Sequence, residues 1–338
     1  MKKSERLLAE KYLLQCIFEE DPDFVDRTME KFGVARSTVY NYINHLQDTK
    51  ELERVGGSMP YRVVFRTTRV TIDTSKEQSE DRIYNRDIAP LLSELPPNVQ
   101  KIWRYAVTAM LNNALEHARA SAIICVVNRS RLCTMIGVLD NGVGLFRRIA
   151  QDQKEQTGEI PTATEAASLL YAGNYTSLPE THAGEGIFFT ARLMDHFAIR
   201  SDYQLFTLDD EEDDDEGGER FRGTAVQMAL ANDSERELGA VMAKYIDAER
   251  GFVNTEIPIA KFFDGEFPVS RSEARRLLAS VSDFCKVELD FAGVDEVGRD
   301  FAHELFSVAV GQYPALSLRV INAAPTVLGA LRRAGYEG

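Results

Sequence analysis

The chain has 338 residues, 27% of them charged and 44% hydrophobic, with a formal net charge of −14. That length exceeds one ordinary core and predicts two or three domains, and no apolar run approaches the ~18–20 residues that span a bilayer, which argues against a helical membrane protein. The opening stretch, MKKSERLLAEKYLLQC, is charged and lacks a small-residue cleavage site, so a cytoplasmic protein is expected, with Cys16, Cys125, Cys133 and Cys285 reduced.

The acidity is local. Asp209 to Glu219 holds nine acids in eleven residues, which is expected as a solvated loop between strands. Residues 1–66 hold eleven Lys/Arg against eleven Asp/Glu, so that part of the chain is neutral.

In chain order, SERLLAEKYLLQCIFEE has Leu7, Leu8, Tyr12, Leu13, Cys16 and Ile17 at helical spacing. Two further helices follow with Gly33 as the turn between them, and GGSMPYRVVFRT reads as a turn and an alternating strand. This order resembles a winged helix-turn-helix domain over residues 1–66. The resemblance implies DNA binding by a recognition helix that begins near Ala35. That helix would present Arg36, Ser37, Thr38, Tyr40 and Asn41 to the major groove, with Val39, Ile43 and Leu46 facing inward. The wing would be Gly56 to Tyr61, with Arg54 and Arg62 near phosphates. A protein-interaction role is the alternative, since the segment is not basic.

Residues 67–232 read as a leading strand (RTTRVTID), two helices separated by Pro96-Pro97, and two apolar strands (AIICVVNRS, LCTMIGVLDN). A lid-like stretch 145–183, a helix (GEGIFFTARLMDHF) and late strands (AIRSDYQLFTL, FRGTAVQMAL) follow. Helices on one side of a mostly antiparallel sheet make an α+β sandwich. Four short motifs occur here in order: Asn113 with Asn112 beside it, DNGVG at Asp140–Gly144, GEG at Gly184–Gly186, and Gly223-Thr224.

Together they resemble the GHKL ATPase superfamily of gyrase, the heat-shock chaperone, mismatch-repair proteins and histidine kinases. The resemblance implies ATP and Mg²⁺ as cofactors. Asp140 would accept from the adenine amino group, with Thr224 bonding nearby. Gly142 and Gly144 would let the backbone approach the base, and Gly184 and Gly186 would open a helix whose N–H groups hold phosphates. Asn113 would offer an oxygen to magnesium. The long stretch 145–183 would close over the triphosphate.

Ala109 departs from that pattern. Hydrolysing members usually carry a glutamate four residues before the magnesium Asn, on the same helical face. Alanine cannot act as a base, so hydrolysis is expected to be very weak. Neither Glu116 nor His117 is a clear substitute. Ala109 fits either a natural binder or an engineered replacement of glutamate, and the intact surroundings favour the second.

After a helical stretch around 233–249, taken within a linker 233–254, the chain alternates strand and helix from TEIPIAKFF to PTVLGALRRAG. Residues 255–338 resemble STAS-like domains, implying contacts with a protein partner or self and homo-oligomerisation, which ATP could control. In related anti-sigma-factor antagonists a serine opening the helix after the strand is phosphorylated. Here LDFAGVDEVGRDFAHEL offers Asp295, Glu296 and Gly298 but no Ser or Thr before Ser307. The only histidine before residue 67 is His45, inside the recognition helix, which argues against a histidine kinase.

The expected architecture is therefore an α+β multidomain protein: winged helix-turn-helix, GHKL sandwich and small STAS-like α/β domain. The expected function is an ATP-binding regulator of DNA binding. A Ser/Thr protein kinase of the anti-sigma type, or a nucleotide-gated interaction module without DNA contact, are the alternatives.

Overall fold

Alternation of side chains explains the central sheet. In the strand Ala122–Arg129 the residues Ile123, Cys125 and Val127 are buried, and in Cys133–Asp140 the buried set is Thr134, Ile136, Val138 and Asp140. Asp140 thus falls on the buried register of an apolar strand. The computed structural model describes residues 3–57, 59–77, 79–158, 160–173, 185–202, 204–209, 221–263 and 267–338.

The N-terminal part is α1 (Lys3–Phe18), α2 (Phe24–Phe32), α3 (Arg36–Asp48) and the hairpin β1 (Leu52–Arg54), β2 (Tyr61–Val63). Gly33 ends α2 in the left-handed region, where φ is 61°. Val39, Ile43 and Leu46 are buried as the spacing predicts, and Tyr42 joins them.

The central part runs β3 (Arg66–Asp73), α4 (Glu80–Ile83), a π-turn (Tyr84–Ile88), α5 (Ala89–Leu92) and α6 (Pro97–Asn112). A second π-turn (Asn113–His117) leads to β4 (Ala122–Arg129), β5 (Cys133–Asp140), α7 (Leu145–Thr157), α8 (Ala163–Ala172) and α9 (Glu185–Leu193). Strands β6 (His196–Asp202), β7 (Gln204–Thr207) and β8 (Phe221–Ala231) complete a six-stranded antiparallel sheet of order β3-β4-β5-β8-β6-β7.

Then come α10 (Leu238–Met242), the small hairpin β9 (Ile246–Asp247), β10 (Gly251–Phe252), β11 (Asn254–Pro258), α11 (Ile259–Phe262) and α12 (Arg271–Ser280). The chain ends with β12 (Lys286–Asp290), α13 (Arg299–His303), a third π-turn (Glu304–Val308), α14 (Ala309–Gln312), β13 (Ser317–Ile321) and α15 (Pro325–Arg333). Strands β11, β12 and β13 form a parallel sheet in that order, as alternating strands and helices require.

Three element assignments from the sequence are corrected. The helix expected to reach Phe197 stops at Leu193, because His196 pairs with Ala229 of β8 and the amide of Asp195 donates to the Ala229 carbonyl. Only the first four residues of TEIPIAKFF are strand, as the end of Asn254–Pro258. Pro258 has no N–H to continue the ladder, and Ile259 and Phe262, one helical turn apart, are both buried. The helical stretch around 233–249 reduces to Leu238–Met242 followed by the β9–β10 hairpin.

Two apolar cores result. One joins α1, α2, α3 and the β1–β2 hairpin to Leu132 in the β4–β5 turn. The other is continuous from Ile72 to Ala334 and takes in both sheets. Tyr245 and Phe252 pack into it, their rings 5.0 and 4.8 Å from that of Phe188 on α9.

Candidate functional site

Helix α6 buries Val99, Ile102, Trp103, Ala106, Val107, Met110 and Leu111 against the sheet. Ala109 and Asn113 flank that stripe, four residues apart and half-buried, on one face. At Asn113 the helix widens: the amide of Ala118 donates to the Asn113 carbonyl at 3.2 Å, an i→i+5 bond. This turn lays the end of the helix onto the loop after β5, where the amide of Val143 donates to the Ala118 carbonyl at 2.8 Å. A Cβ on Gly142 would stand 2.1 Å from that carbonyl oxygen, so only glycine fits. Gly144, at φ 88°, then turns the chain into α7.

Asp140 is 6% exposed. Its Oδ1 accepts from the Gly142 amide at 2.8 Å, and its register partner Thr224 supplies backbone and hydroxyl hydrogen bonds. Burial pushes the Asp140 carboxyl above the usual aspartate range, and the donors from Gly142 and Thr224 oppose that shift without cancelling it. The Thr224 hydroxyl also accepts from the Leu145 amide at 3.1 Å. Ser201 holds the same amide, its Oγ accepting from Leu145 at 3.0 Å and donating to the Gly223 carbonyl at 2.7 Å. Fully buried Ser201 thereby fixes the start of α7. No periodicity or motif in the sequence marks it, because its partners lie 22 and 56 positions away.

The first and third motifs also meet. A Cβ on Gly186, in the first turn of α9, would lie 3.3 Å from the Ala109 Cβ. Glu185, its neighbour, has a carboxyl raised by burial, and its charge adds to the burial that raises Tyr105, one turn before Ala109. Glu116 is exposed, and the side chain of His117 lies outside the described residues. So do Gly184, the part of the expected lid from 174 to 183, and most of the acidic run, 210–219. The rest of the lid stretch is α7 and α8, anchored by buried Phe146, Ile149, Leu170 and Tyr171.

On α3, Arg36, Ser37, Tyr40 and Asn41 are exposed and Thr38 is half-buried. Exposed Asn44 extends this face by one turn, as its spacing from Tyr40 and Asn41 could have shown. Arg36 faces Asp26 at 3.3 Å and Arg62 is bonded to Glu53 at 2.6 Å, so part of the positive charge here is internally paired.

In the C-terminal sheet, the loop before α13 carries no hydroxyl side chain between Phe291 and Gly298. Gly298 is forced, because a Cβ there would meet the Val269 carbonyl oxygen at 2.4 Å. Ser307 is committed locally, its Oγ donating to the Ala334 carbonyl at 2.7 Å.

Among the described residues, no helix is long and apolar enough to cross a membrane. A search of curated proteins gives no match to the chain. Residues 273–328, from the first turn of α12 to the first turn of α15, match the family model of a STAS-like domain of unknown function, DUF4325, and the C-terminal part is therefore STAS-like.

Proposed function

We propose that the chain is an ATP-binding regulator, in which nucleotide occupancy of the central domain controls the N-terminal winged domain while the STAS-like domain makes protein contacts, with a partner or between copies. The observation that carries this is the convergence of Asn113, Asp140, Gly142, Thr224 and Gly186 around the end of α6. Asp140 is a buried acceptor suited to an exocyclic amino donor, which would compensate a carboxylate that burial penalises. The first turn of α9, opened by Glu185 and Gly186, would turn its N–H groups towards phosphate.

Asn113 suits magnesium, which accepts neutral oxygen and retains water. Among the described residues no cluster of three His, Cys, Asp or Glu surrounds it, so the other oxygens would come from phosphates and water. The ion, when bound, neutralises phosphate charge. Ala109 supplies no base, and turnover in this chain is expected to be very slow. The experiment is ATP binding and turnover, side by side, for this chain and Ala109→Glu. Both should bind, and the glutamate form should turn over about 10²–10⁴-fold faster. Absence of ATP binding in both forms sinks the proposal.

The internal pairing of Arg36 and Arg62 favours a second possibility, a nucleotide-gated interaction module without DNA contact. Salt-dependent DNA binding that weakens on Arg36→Ala supports the regulator, since phosphate contacts release counterions.

A further inference from the structure

A cleft of about 640 Å³ lies where the winged domain meets the edge of the central sheet, and it shares no residue with the Asp140 site. Its floor is one face of the β3–β4 pair: Arg66 and Arg129, then Thr68 and Val127, directly opposite each other in the antiparallel register. Lys50, at the end of α3, stands on the winged-domain side. Pro90, Leu91 and Leu95 give the cleft an apolar wall.

Two arginines at directly opposed positions repel, and a sheet does not acquire such a pair for stability. Arg129 is partly occupied: it donates to the Leu91 carbonyl and, at 3.4 Å, to Glu94. Its Nε is nevertheless buried without an acceptor. Among the described residues neither Arg66 nor Lys50 has an ion-pair or side-chain hydrogen-bond partner. The lining also contains Arg131 and Glu51, which bond each other at 2.8 Å. Of four cations and two carboxylates in the lining, two positive charges remain in excess. A dianion between Arg66, Arg129 and Lys50 would relieve the repulsion and accept from the Thr68 hydroxyl. The volume lies within the ~300–1,000 Å³ typical of small-molecule sites, and the apolar wall suits a compact organic body.

We propose that this cleft binds a small organic phosphate, held by Arg66, Arg129 and Lys50 at the seam between the winged domain and the central sheet. Its ligand touches both domains at once, whatever occupies the Asp140 site.

Phenyl phosphate, with a dianionic head and an apolar body, is the probe, titrated calorimetrically into the full chain with inorganic phosphate in parallel. One saturable site is expected, with inorganic phosphate weaker because it leaves the apolar wall uncovered. Arg66→Gln removes an exposed side chain on which no fold contact depends, and it should weaken binding at least about tenfold, as loss of a charge-assisted hydrogen bond implies. Lys50→Gln should act in the same direction. Asp140→Asn should leave phenyl phosphate binding unchanged. No saturable binding, equal affinity in Arg66→Gln, or equal affinity for the two probes overturns the proposal. So does loss of phenyl phosphate binding in Asp140→Asn, which would place the probe in the Asp140 site.

Discussion

The N-terminal helical part and the STAS-like part are joined to the central sheet by different chemistry. On the C-terminal side the joint is apolar: Phe188 of α9 meets Tyr245 and Phe252, and Phe252 in turn meets Phe284 at 5.1 Å. Arg192, one turn along α9, lies 3.4 Å over the Phe188 ring and donates to the Glu256 carbonyl of β11 at 2.9 Å. On the N-terminal side the joint is mainly polar. Arg131 in the β4–β5 turn reaches Glu51 at 2.8 Å and the buried Glu10 at 3.4 Å, and Lys11 pairs with Asp233. Leu132 is the buried apolar residue that the turn inserts into the N-terminal core. An apolar joint should couple the unfolding of the domains it links, whereas a polar one leaves a path for separate opening.

Two changes test that contrast, and a third tests the buried carboxylate of the site the two joints flank. The largest effect belongs to Phe188→Ala, which empties a fully buried site packed against Tyr245 and Phe252 and should cost about 3–5 kcal/mol. Trp103, the single tryptophan, is buried in the same core and reports it by fluorescence. Its transition and the loss of structure in β11–β13 should move down together. Separate transitions would show that the apolar joint is not cooperative.

Arg131→Ala should act on the other side and by less. Glu10 keeps Arg6 at 2.7 Å and His45 at 3.2 Å, so the loss is one charged partner, about 1–3 kcal/mol. Hydrogen exchange in α1 and α3 should quicken while the Trp103 transition stays in place. A matching shift in Trp103 would contradict the division into two cores.

Asp140→Asn gives the smallest effect and depends on pH. The folded carboxyl lies above its unfolded value, so protonation favours the folded state. Its stability contribution is present below the unfolded pKa and is lost as pH rises through the folded pKa. Without nucleotide, the asparagine variant should therefore gain on the parent from acid towards neutral pH, as read from urea midpoints. A constant difference across that range would mean that Asp140 is not raised.

Much of the site was legible because its residues obey local periodicities. Asp140 continues the alternation of Thr134, Ile136 and Val138, so its burial follows from strand parity alone. Ala109 and Asn113 share a helical face by spacing, and the inward set of α3 follows from its apolar period. The glycine motifs stood out as residues, but the reasons for two of them did not. Gly142 is required by the Ala118 carbonyl and Gly223 by the Asp140 carbonyl, at 2.1 and 2.0 Å from their hypothetical Cβ atoms.

The sequence by itself determined the order of the main strands and helices, the faces they bury and the types of residue that meet at the end of α6. Tertiary structure decided the π-turn at Asn113, the role of Ser201, the contact between Gly186 and Ala109, and the unequal joints to the two outer domains. The physical reason is range. Period and propensity act over one or two turns, whereas these features depend on backbones and side chains brought together from far apart in the chain, where close packing decides which atoms can fit.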